Sequence, residues 1–209
     1  MEMYKLFKRK RAWIGPVLVF LLIIISFPLT LDINSDNPPQ IYLSFIWIST
    51  LLVTMLGTEL IFSDDFEDGS LEQYAVNNQL IEIVFYKILV HWVLIGIPLA
   101  FAAFLFILSL NISIQISSIA LLCLIISNLI FINFFSLGNA LSLKKGSILG
   151  LLITIPFLIP VLIVLGKMTT SALLGLSLVG HLSLLVGVMI LVASFIPFII
   201  SFILRTHLE

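Results

Sequence analysis

The residues best suited to chemistry form one acidic segment, Asp64 to Gln73, between two long apolar runs. It holds five of the eleven acidic residues in the 209-residue chain. Clustered carboxylates can bind a cation or the basic groups of a protein partner. A calcium loop of the EF-hand type fails, because the third position counted from Asp64 is Phe66 and the twelfth is Ala75. Two interpretations remain open: a solvated loop that marks a membrane boundary, and a docking element for another protein.

A local pattern within this segment predicts a short helix. Asp68-Gly69 is a turn signal, and Ser70-x-x-Gln73 is a capping-box pattern, in which Ser70 caps the first amides and Gln73 reaches back. The pattern predicts a helix over residues 71–76. Because a solvated loop needs no such cap, the pattern favours the docking element. The candidate interface consists of Asp64, Asp65, Asp68, Gly69, Ser70, Leu71, Glu72 and Gln73.

Two further ionisable residues stand where the flanking apolar runs meet the acidic segment. Glu59 precedes the segment and Lys87 follows it. An ionisable group inside a bilayer is a functional candidate by default. Glu59 is either satisfied at the membrane interface, or pairs with Lys87 or another neighbour and stiffens the link between the acidic segment and the apolar runs.

No catalytic or nucleotide-binding pattern accompanies these residues. The Gly166-Lys167 pair has Val161 where a phosphate-binding loop requires glycine and Met168 where it requires a hydroxyl. The three histidines are scattered over three segments, so no nucleophile–base–acid set is predicted. We expect no enzyme activity in this chain, and no directly bound metal or cofactor.

Composition places these residues in a membrane protein. The chain is 61% hydrophobic and only 10% charged, and a helix needs about 20 apolar residues to cross a bilayer. A polar break at residues 111–115 divides the longest apolar run into two spans. Six transmembrane helices are predicted, near residues 13–31, 41–62, 88–110, 116–143, 147–166 and 176–204. The predicted fold class is therefore an all-α integral membrane protein, with residues 1–209 as a single transmembrane domain.

The basic residues predict how these helices are oriented. With six spans, nine of the ten Lys and Arg residues fall on one side of the membrane and only Lys167 falls on the other. Because Lys and Arg are retained on the cytoplasmic side, both termini are predicted to be cytoplasmic. Segment 63–87 is then a cytoplasmic connection, and the stretch 13–31 is a retained anchor. The net charge of −1 indicates no nucleic-acid partner, and the short basic N-terminus suits anionic lipid.

The fifth span carries two patterns that affect packing. Gly146-x-x-x-Gly150 opens it, and small residues one turn apart let helices approach closely. The pattern indicates either a dimer or subunit contact, or glycines that are ordinary near a helix start. Pro156 and Pro160 each remove a backbone donor, which predicts a kinked or broken helix. Such a helix serves either as a hinge or as static packing.

Three motifs occur in an order and spacing that resemble one family. The first is the run Glu59-Leu60-Ile61-Phe62-Ser63-Asp64-Asp65-Phe66-Glu67-Asp68-Gly69-Ser70-Leu71-Glu72-Gln73. The second is Lys87-x-x-x-His91-Trp92-x-x-x-Gly96-x-Pro98-Leu99, and the third is Leu143-Lys144-Lys145-Gly146 followed by Pro156 and Pro160. Length and the six-span topology match as well. The chain resembles the heme exporter protein B (CcmB) family, the membrane subunit of the cytochrome c maturation ABC complex.

The resemblance implies an ABC-2 type permease of the bacterial inner membrane, present as a homodimer and bound to a separate cytoplasmic ATPase subunit that uses the ATP. Segment 63–87 is then the coupling segment. It also implies a heme-handling membrane subunit, a small accessory membrane protein and the release of heme-loaded chaperone, with heme as the substrate of the complex. The tryptophans Trp13, Trp47 and Trp92 are dispersed, unlike the Trp-rich stretch of heme-handling relatives. This difference favours a mechanical transmitter over a heme pore.

Two alternatives remain: heme ligation by a histidine, and a different function for the whole chain. His91 and His181 are weak candidates for axial heme ligation. His91 lies beside Trp92, which suits an interfacial anchor instead, and His181 has no obvious partner histidine. A non-transporting membrane scaffold that only assembles partners is the alternative function, since it predicts the same hydropathy and the same exposed acidic helix.

Overall fold

The computed structural model describes residues 10–30, 39–143 and 147–208, and every regular element in these ranges is helical. Helices satisfy their backbone groups internally, as a hydrocarbon solvent requires. In chain order the elements are α1 (Lys10–Thr30), α2 (Pro39–Thr58), α3 (Ser63–Glu67), α4 (Ser70–Val76), α5 (Leu80–His91), a π-helical turn (Trp92–Gly96), α6 (Ile97–Ser109), α7 (Ile114–Leu141), α8 (Ser147–Leu173) and α9 (Val179–Leu208).

Six helical stretches of the described chain are long and apolar enough to cross a membrane. Spans 1 and 2 contain α1 and α2, span 3 is α5, the π-helical turn and α6 together, and spans 4, 5 and 6 are α7, α8 and α9. The predicted fold class, an all-α membrane protein with six spans, is confirmed. Between spans 2 and 3 the chain forms the short helices α3 and α4.

Spans 3 and 5 extend furthest beyond their predicted ends. Span 3 begins at Leu80 instead of residue 88, because the amphipathic stretch before Lys87 continues the same helix. Span 5 continues past Lys167 to Leu173. The chain then turns at Gly175, whose φ of 67° is open to glycine and strained for most other residues. A single charged residue therefore does not end a helix whose other contacts continue.

Span 4 is the centre of the bundle. Helix α7 packs against α9, α8, α2 and α6, and most of its residues are buried. Large apolar side chains such as Phe131 and Phe135 are fully buried along it. Six buried polar residues lie along the same helix: Ser117, Ser127, Asn128, Asn133, Ser136 and Asn139. Placed inside the bundle, these polar groups avoid the hydrocarbon that surrounds it.

Spans 4 and 5 touch backbone to backbone near Gly150. A Cβ atom added at Gly150 would lie 1.8 Å from the Gly138 carbonyl oxygen and 2.5 Å from Ser142 Oγ. Glycine is therefore required at this position for α8 to approach α7 so closely. Gly146, the other residue of the predicted packing pattern, lies outside the described residues.

Helix α8 runs without interruption through Pro156 and Pro160, so span 5 is not broken, and the alternative of a kinked helix stays a prediction. The two prolines are one turn apart and share one exposed face. The opposite face, with Leu158 and Leu165, is fully buried in the bundle. The two backbone N–H groups that the prolines lack are thus missing on the exposed face. Packing against the bundle holds the other face in helical geometry.

Candidate functional site

The acidic segment folds as a helix–turn–helix beneath the ends of spans 2, 3 and 4. Span 2 ends at Thr58, a turn over residues 59–62 leads into α3, and a second turn at Asp68-Gly69 leads into α4. Gly69 has a φ of 73°, which explains the glycine at this turn. Two short helices therefore stand where the sequence predicts one.

Asp65 and Lys87 form a buried ion pair between α3 and span 3. Lys87 Nζ lies 2.6 Å from Asp65 Oδ2, and the two residues are only 4% and 5% exposed. The same ammonium donates a hydrogen bond to the Ile61 carbonyl oxygen at 2.8 Å and lies 5.8 Å from the centroid of the Phe62 ring. Lys87 thus ties span 3 to both the turn and α3.

Asn139 of span 4 holds the same turn from the opposite side. Its Nδ2 donates to the Glu59 carbonyl oxygen and, at 3.5 Å, to Ser63 Oγ. Its Oδ1 accepts from the Phe62 N–H at 3.2 Å. Asn139 is fully buried. We call Asp65, Lys87, Asn139 and the turn over residues 59–62 the polar junction, because together they link the acidic helices to three spans.

The polar junction corrects two predictions. Lys87 forms its ion pair with Asp65 and not with Glu59, which is half-buried and contributes its backbone carbonyl to the junction. A pair between Glu59 and a different neighbour stays a prediction. Asp65 was predicted to face a partner protein, but it points into the chain's own interior. Ile61 and Phe62, just before α3, are buried as well, so this side of α3 faces the bundle.

The start of α4 also differs from the predicted capping box. The Ser70 side chain caps no amide; instead Asp68 Oδ1 accepts from the Ser70 N–H at 2.9 Å and from the Ser70 hydroxyl. The helix begins at Ser70, one residue earlier than predicted. A carboxylate two residues ahead of an N–H forms this Asx-type turn readily, so it outcompetes the serine cap.

Helix α4 has one buried and one exposed face. Leu71, one of the residues of the predicted interface, is instead fully buried in the bundle and anchors the helix. Glu72 and Gln73 are exposed, and Val76 is 82% exposed. We call Glu72, Gln73 and Val76 the exposed face of α4. It presents one carboxylate, one amide and one apolar side chain to the solvent side.

The second sequence motif forms the wall of span 3 above the polar junction. His91 Nδ1 lies 2.8 Å from the Lys87 carbonyl oxygen, and Trp92 Nε1 donates to the Ile125 carbonyl oxygen at 3.0 Å. The His91 contact is buried and the Trp92 contact is partly buried. The His91 ring therefore packs inside the bundle, and its role as an interfacial anchor stays a prediction.

A π-helical turn follows at Trp92–Gly96 and was missed from the sequence. Pro98 lacks an N–H, so a carbonyl in the preceding turn loses its α-helical donor. The carbonyl that Pro98 leaves without its donor is that of Leu94, four residues earlier. Asn128 of span 4 donates from Nδ2 to a different carbonyl of the same turn, that of Gly96, at 2.8 Å. The signal that could have revealed this turn is Gly96-x-Pro98 inside an apolar run. Asn128 and Asn139 were missed as well, although an amide inside a predicted span is itself such a signal.

His181 lies apart from these residues, in the first turn of α9. Its Nδ1 atom is buried and has no hydrogen-bond partner among the described residues. Within residues 10–30, 39–143 and 147–208 no three His, Cys, Asp or Glu side chains come together as a metal site would require. The geometry brings Asp65, Lys87 and Asn139 together, with His91 one turn from Lys87 in span 3, and leaves His181 apart from them.

Comparisons with known proteins agree on one family. The family model described as CcmB protein matches residues 3–207. Heme exporter protein B of Pseudomonas aeruginosa is 32% identical over 199 residues, covering 94% of this chain and 89% of the relative. Heme exporter protein B of Haemophilus influenzae is 33% identical over 205 residues, covering 96% and 93%. That of Rhodobacter capsulatus is 28% identical over 197 residues, covering 91% and 88%.

Proposed function

The chain belongs to the CcmB protein family, and from this premise we propose that it is the membrane subunit of an ATP-driven complex of cytochrome c maturation. It is a multi-pass protein of the bacterial inner membrane. In this role the chain is a permease half of the ABC-2 type. It couples ATP hydrolysis by a separate cytoplasmic ATPase to the delivery of heme and the release of heme-loaded chaperone.

The observation that carries the proposal is the polar junction. A buried ion pair and a fully used buried amide fix α3 and its turn to spans 2, 3 and 4. Breaking such contacts leaves charges and backbone groups without partners in a low-dielectric interior, so the helices resist being pulled away from the spans. A displacement of the acidic helices is therefore passed into the membrane rather than absorbed by a loose loop.

The exposed face of α4 is the surface that an ATPase can contact. Glu72 offers a carboxylate to a basic group, and Val76 offers an apolar side chain that the chain's own core does not cover. The energy must come from the partner, since the sequence has no phosphate-binding loop of its own. The docking interaction and the rigid connection are thus adjacent but use different residues.

The assembly in this proposal contains a homodimer of the chain, its ATPase, a heme-handling membrane subunit and a small accessory membrane protein. Heme is the substrate of the complex, and the chain transmits movement instead of forming a heme pore. Its interior favours this role, because buried polar groups such as Asn139 and Lys87 hold helices together. A non-transporting scaffold is the second candidate, and it too is compatible with an exposed acidic helix.

Co-expression of the chain with its ATPase tests the proposal. Glu72→Lys/Gln73→Lys reverses the charge of the exposed face of α4, and Gln79→Lys/Glu82→Lys makes the same charge change at exposed positions at the start of span 3. Both variants leave Asp65 and Asp68 in place, so the junction and the start of α4 are retained. We expect the α4 variant to lose the complex on pull-down, while the control variant keeps it.

ATP hydrolysis then separates the permease from the scaffold. A permease half changes the ATPase rate of its partner, and Asn139→Leu weakens that change while the partner stays bound. If the wild-type chain binds the ATPase without altering its rate, the scaffold replaces the permease. If the α4 variant binds and stimulates normally, α4 is not the docking element.

A further inference from the structure

The turn that joins α4 to span 3 is closed by backbone hydrogen bonds alone, without the side chain of its central residue, Asn78. Over residues 77–79, the Asn78 N–H donates to the Ala75 carbonyl at 3.1 Å and the Gln79 N–H donates to the Tyr74 carbonyl at 2.9 Å. This pair of bonds is the Schellman arrangement, which requires a left-handed residue where Asn78 has its φ of 55°. The backbone therefore closes the turn, and the Asn78 side chain remains available for another contact.

That contact is with the last helix of the chain. Arg205 Nη2 donates to Asn78 Oδ1 at 2.7 Å across 127 residues of sequence. Arg205 lies in the last turn of α9. A hydrogen bond from a charged guanidinium is shorter and stronger than one between neutral groups. The cytoplasmic end of span 6 is thus connected to the joint between α4 and span 3.

A second contact aligns the same two helices. Phe85 of α5 and Phe198 of α9 meet edge to face, with ring centroids 6.0 Å apart. Seven residues separate Asn78 from Phe85, and seven separate Arg205 from Phe198. Two turns of α5 therefore run beside two turns of α9, with a polar contact at one end and an aromatic contact at the other. The hydrogen bond is therefore one of two contacts, at equal spacing on both helices, and not an isolated surface bond.

We propose that Arg205 is a positioning residue that ties span 6 to the joint after α4, so that a displacement of α4 moves span 6 together with span 3. The proposal rests on the proposed function above. The polar junction connects the acidic helices to spans 2, 3 and 4 and includes no residue of span 6. Span 6 also packs against α4 and span 4, and the tie through Arg205 adds a directional polar contact at the joint itself. Without it, α4 keeps its exposed face and its partner, but less of its displacement reaches span 6.

Two single substitutions remove the tie from either side. Arg205→Ala deletes the donor. Asn78→Gly deletes the acceptor and keeps the left-handed backbone, which alanine would strain. Thr206→Ala is the control, since the Thr206 hydroxyl is exposed and bonds only to its own helix, to the Ile203 carbonyl at 2.7 Å. Arg205→Lys keeps the charge on a different donor and should restore part of the contact.

Hydrogen exchange of the purified chain in detergent measures the tie itself. We expect the amides of residues 77–82 to exchange about two- to tenfold faster in Arg205→Ala and in Asn78→Gly. The double variant should be no faster than either single one, and Thr206→Ala should match the wild type. Unchanged exchange in the single variants, or effects of the two substitutions that add, would overturn the proposal.

Coupled ATP hydrolysis measures the consequence. With the ATPase bound, both single variants should lower the stimulated kcat by a similar factor and leave the KM for ATP unchanged, because α4 still docks. A raised KM or a lost complex would mean that Arg205 acts on folding or docking, which overturns the positioning role. If the wild-type chain does not change the ATPase rate, both the proposed function and the transmission through span 6 are overturned. The hydrogen-exchange result still decides separately whether the contact between Arg205 and Asn78 exists.

Discussion

Lys87 is a cation that the fold keeps almost completely buried, 4% exposed, inside a bundle built for a membrane. Lysine is rarely buried without a partner, and here it has the Asp65 carboxylate and the Ile61 carbonyl. The pair is costly to desolvate, so its gain in stability over an apolar pair is small. Its consequence is positional: α3 can occupy only the place where Asp65 meets Lys87.

Asp65→Asn should destabilise the chain strongly, because it leaves the buried Lys87 ammonium without its counter-charge. Removing one partner of a buried pair costs about 3–5 kcal/mol. We expect a clearly lower midpoint of heat-induced aggregation in detergent, followed by size-exclusion chromatography. Asp65→Leu/Lys87→Met, which removes both charges, should recover much of the loss. The exposed control Glu67→Gln should behave as the wild type.

The two buried asparagines of span 4 offer a sharper comparison. Asn139→Leu strands the Phe62 N–H and the Glu59 carbonyl, a penalty of about 1–3 kcal/mol for each buried group. In Asn133, Nδ2 bonds only to the Leu129 carbonyl of its own helix, and Oδ1 has no partner among the described residues. Asn133→Leu should therefore be neutral or stabilising in the same assay. Equal losses for both variants would mean that Asn139 does not support the turn.

At the scale of the helices, hydropathy and the turn residues were sufficient to predict the six spans and the short helix after Gly69. A span is determined by the transfer of its own side chains into lipid, which is a local property of the sequence. The acidic character of the segment was visible for the same reason. Sequence reasoning therefore placed the acidic segment correctly, between spans 2 and 3, and its role as a docking site stays a prediction.

The contacts within the site could not be predicted from local sequence patterns in the same way. Whether Asp65 faces a partner or Lys87 depends on which side of a five-residue helix is buried, and that depends on spans 3 and 4 packing beneath it. The capping box failed because Asp68 accepts from the Ser70 hydroxyl and from the Ser70 N–H that Gln73 was expected to reach. The tie from Arg205 to Asn78 joins residues that are 127 positions apart in the sequence and has no local sequence signal.

The approach of α8 to α7 gives a prediction at this scale. Gly150→Ala places a methyl group 1.8 Å from the Gly138 carbonyl oxygen, and the backbone cannot yield as a flexible side chain would. We expect the helices to be pushed apart, with a loss of about 1–3 kcal/mol seen as a lower aggregation midpoint. Gly166→Ala in the same helix is the control, since a methyl group there meets no atom within 4 Å. A stable Gly150→Ala protein would contradict the close backbone contact.

For the whole molecule, the surface proposed to bind the ATPase is separate from the contacts that connect the acidic helices to the spans. The side chains of the exposed face of α4 point away from the described part of the bundle. A partner can therefore bind them without displacing other residues of the chain. The polar junction and the Arg205 tie lie behind it and together reach spans 2, 3, 4 and 6. Span 5 joins this group through its contact with α7. A push on one short helix can thus reach most of the bundle without a soluble domain in between.

This mechanism requires α4 to face the cytoplasm, where ATP is available, and the distribution of basic residues predicts that it does. Cys123 is the only cysteine, so a Cys123→Ser background allows single reporter cysteines. Glu72→Cys lies on the exposed face of α4, and Gln115→Cys lies exposed at the opposite end, at the start of α7. In intact spheroplasts a membrane-impermeant maleimide should label Gln115→Cys at once and Glu72→Cys only after the membrane is opened. Labelling of Glu72→Cys from outside would place α4 on the wrong side for an ATPase and remove the docking proposal, whatever the strength of the contacts behind it.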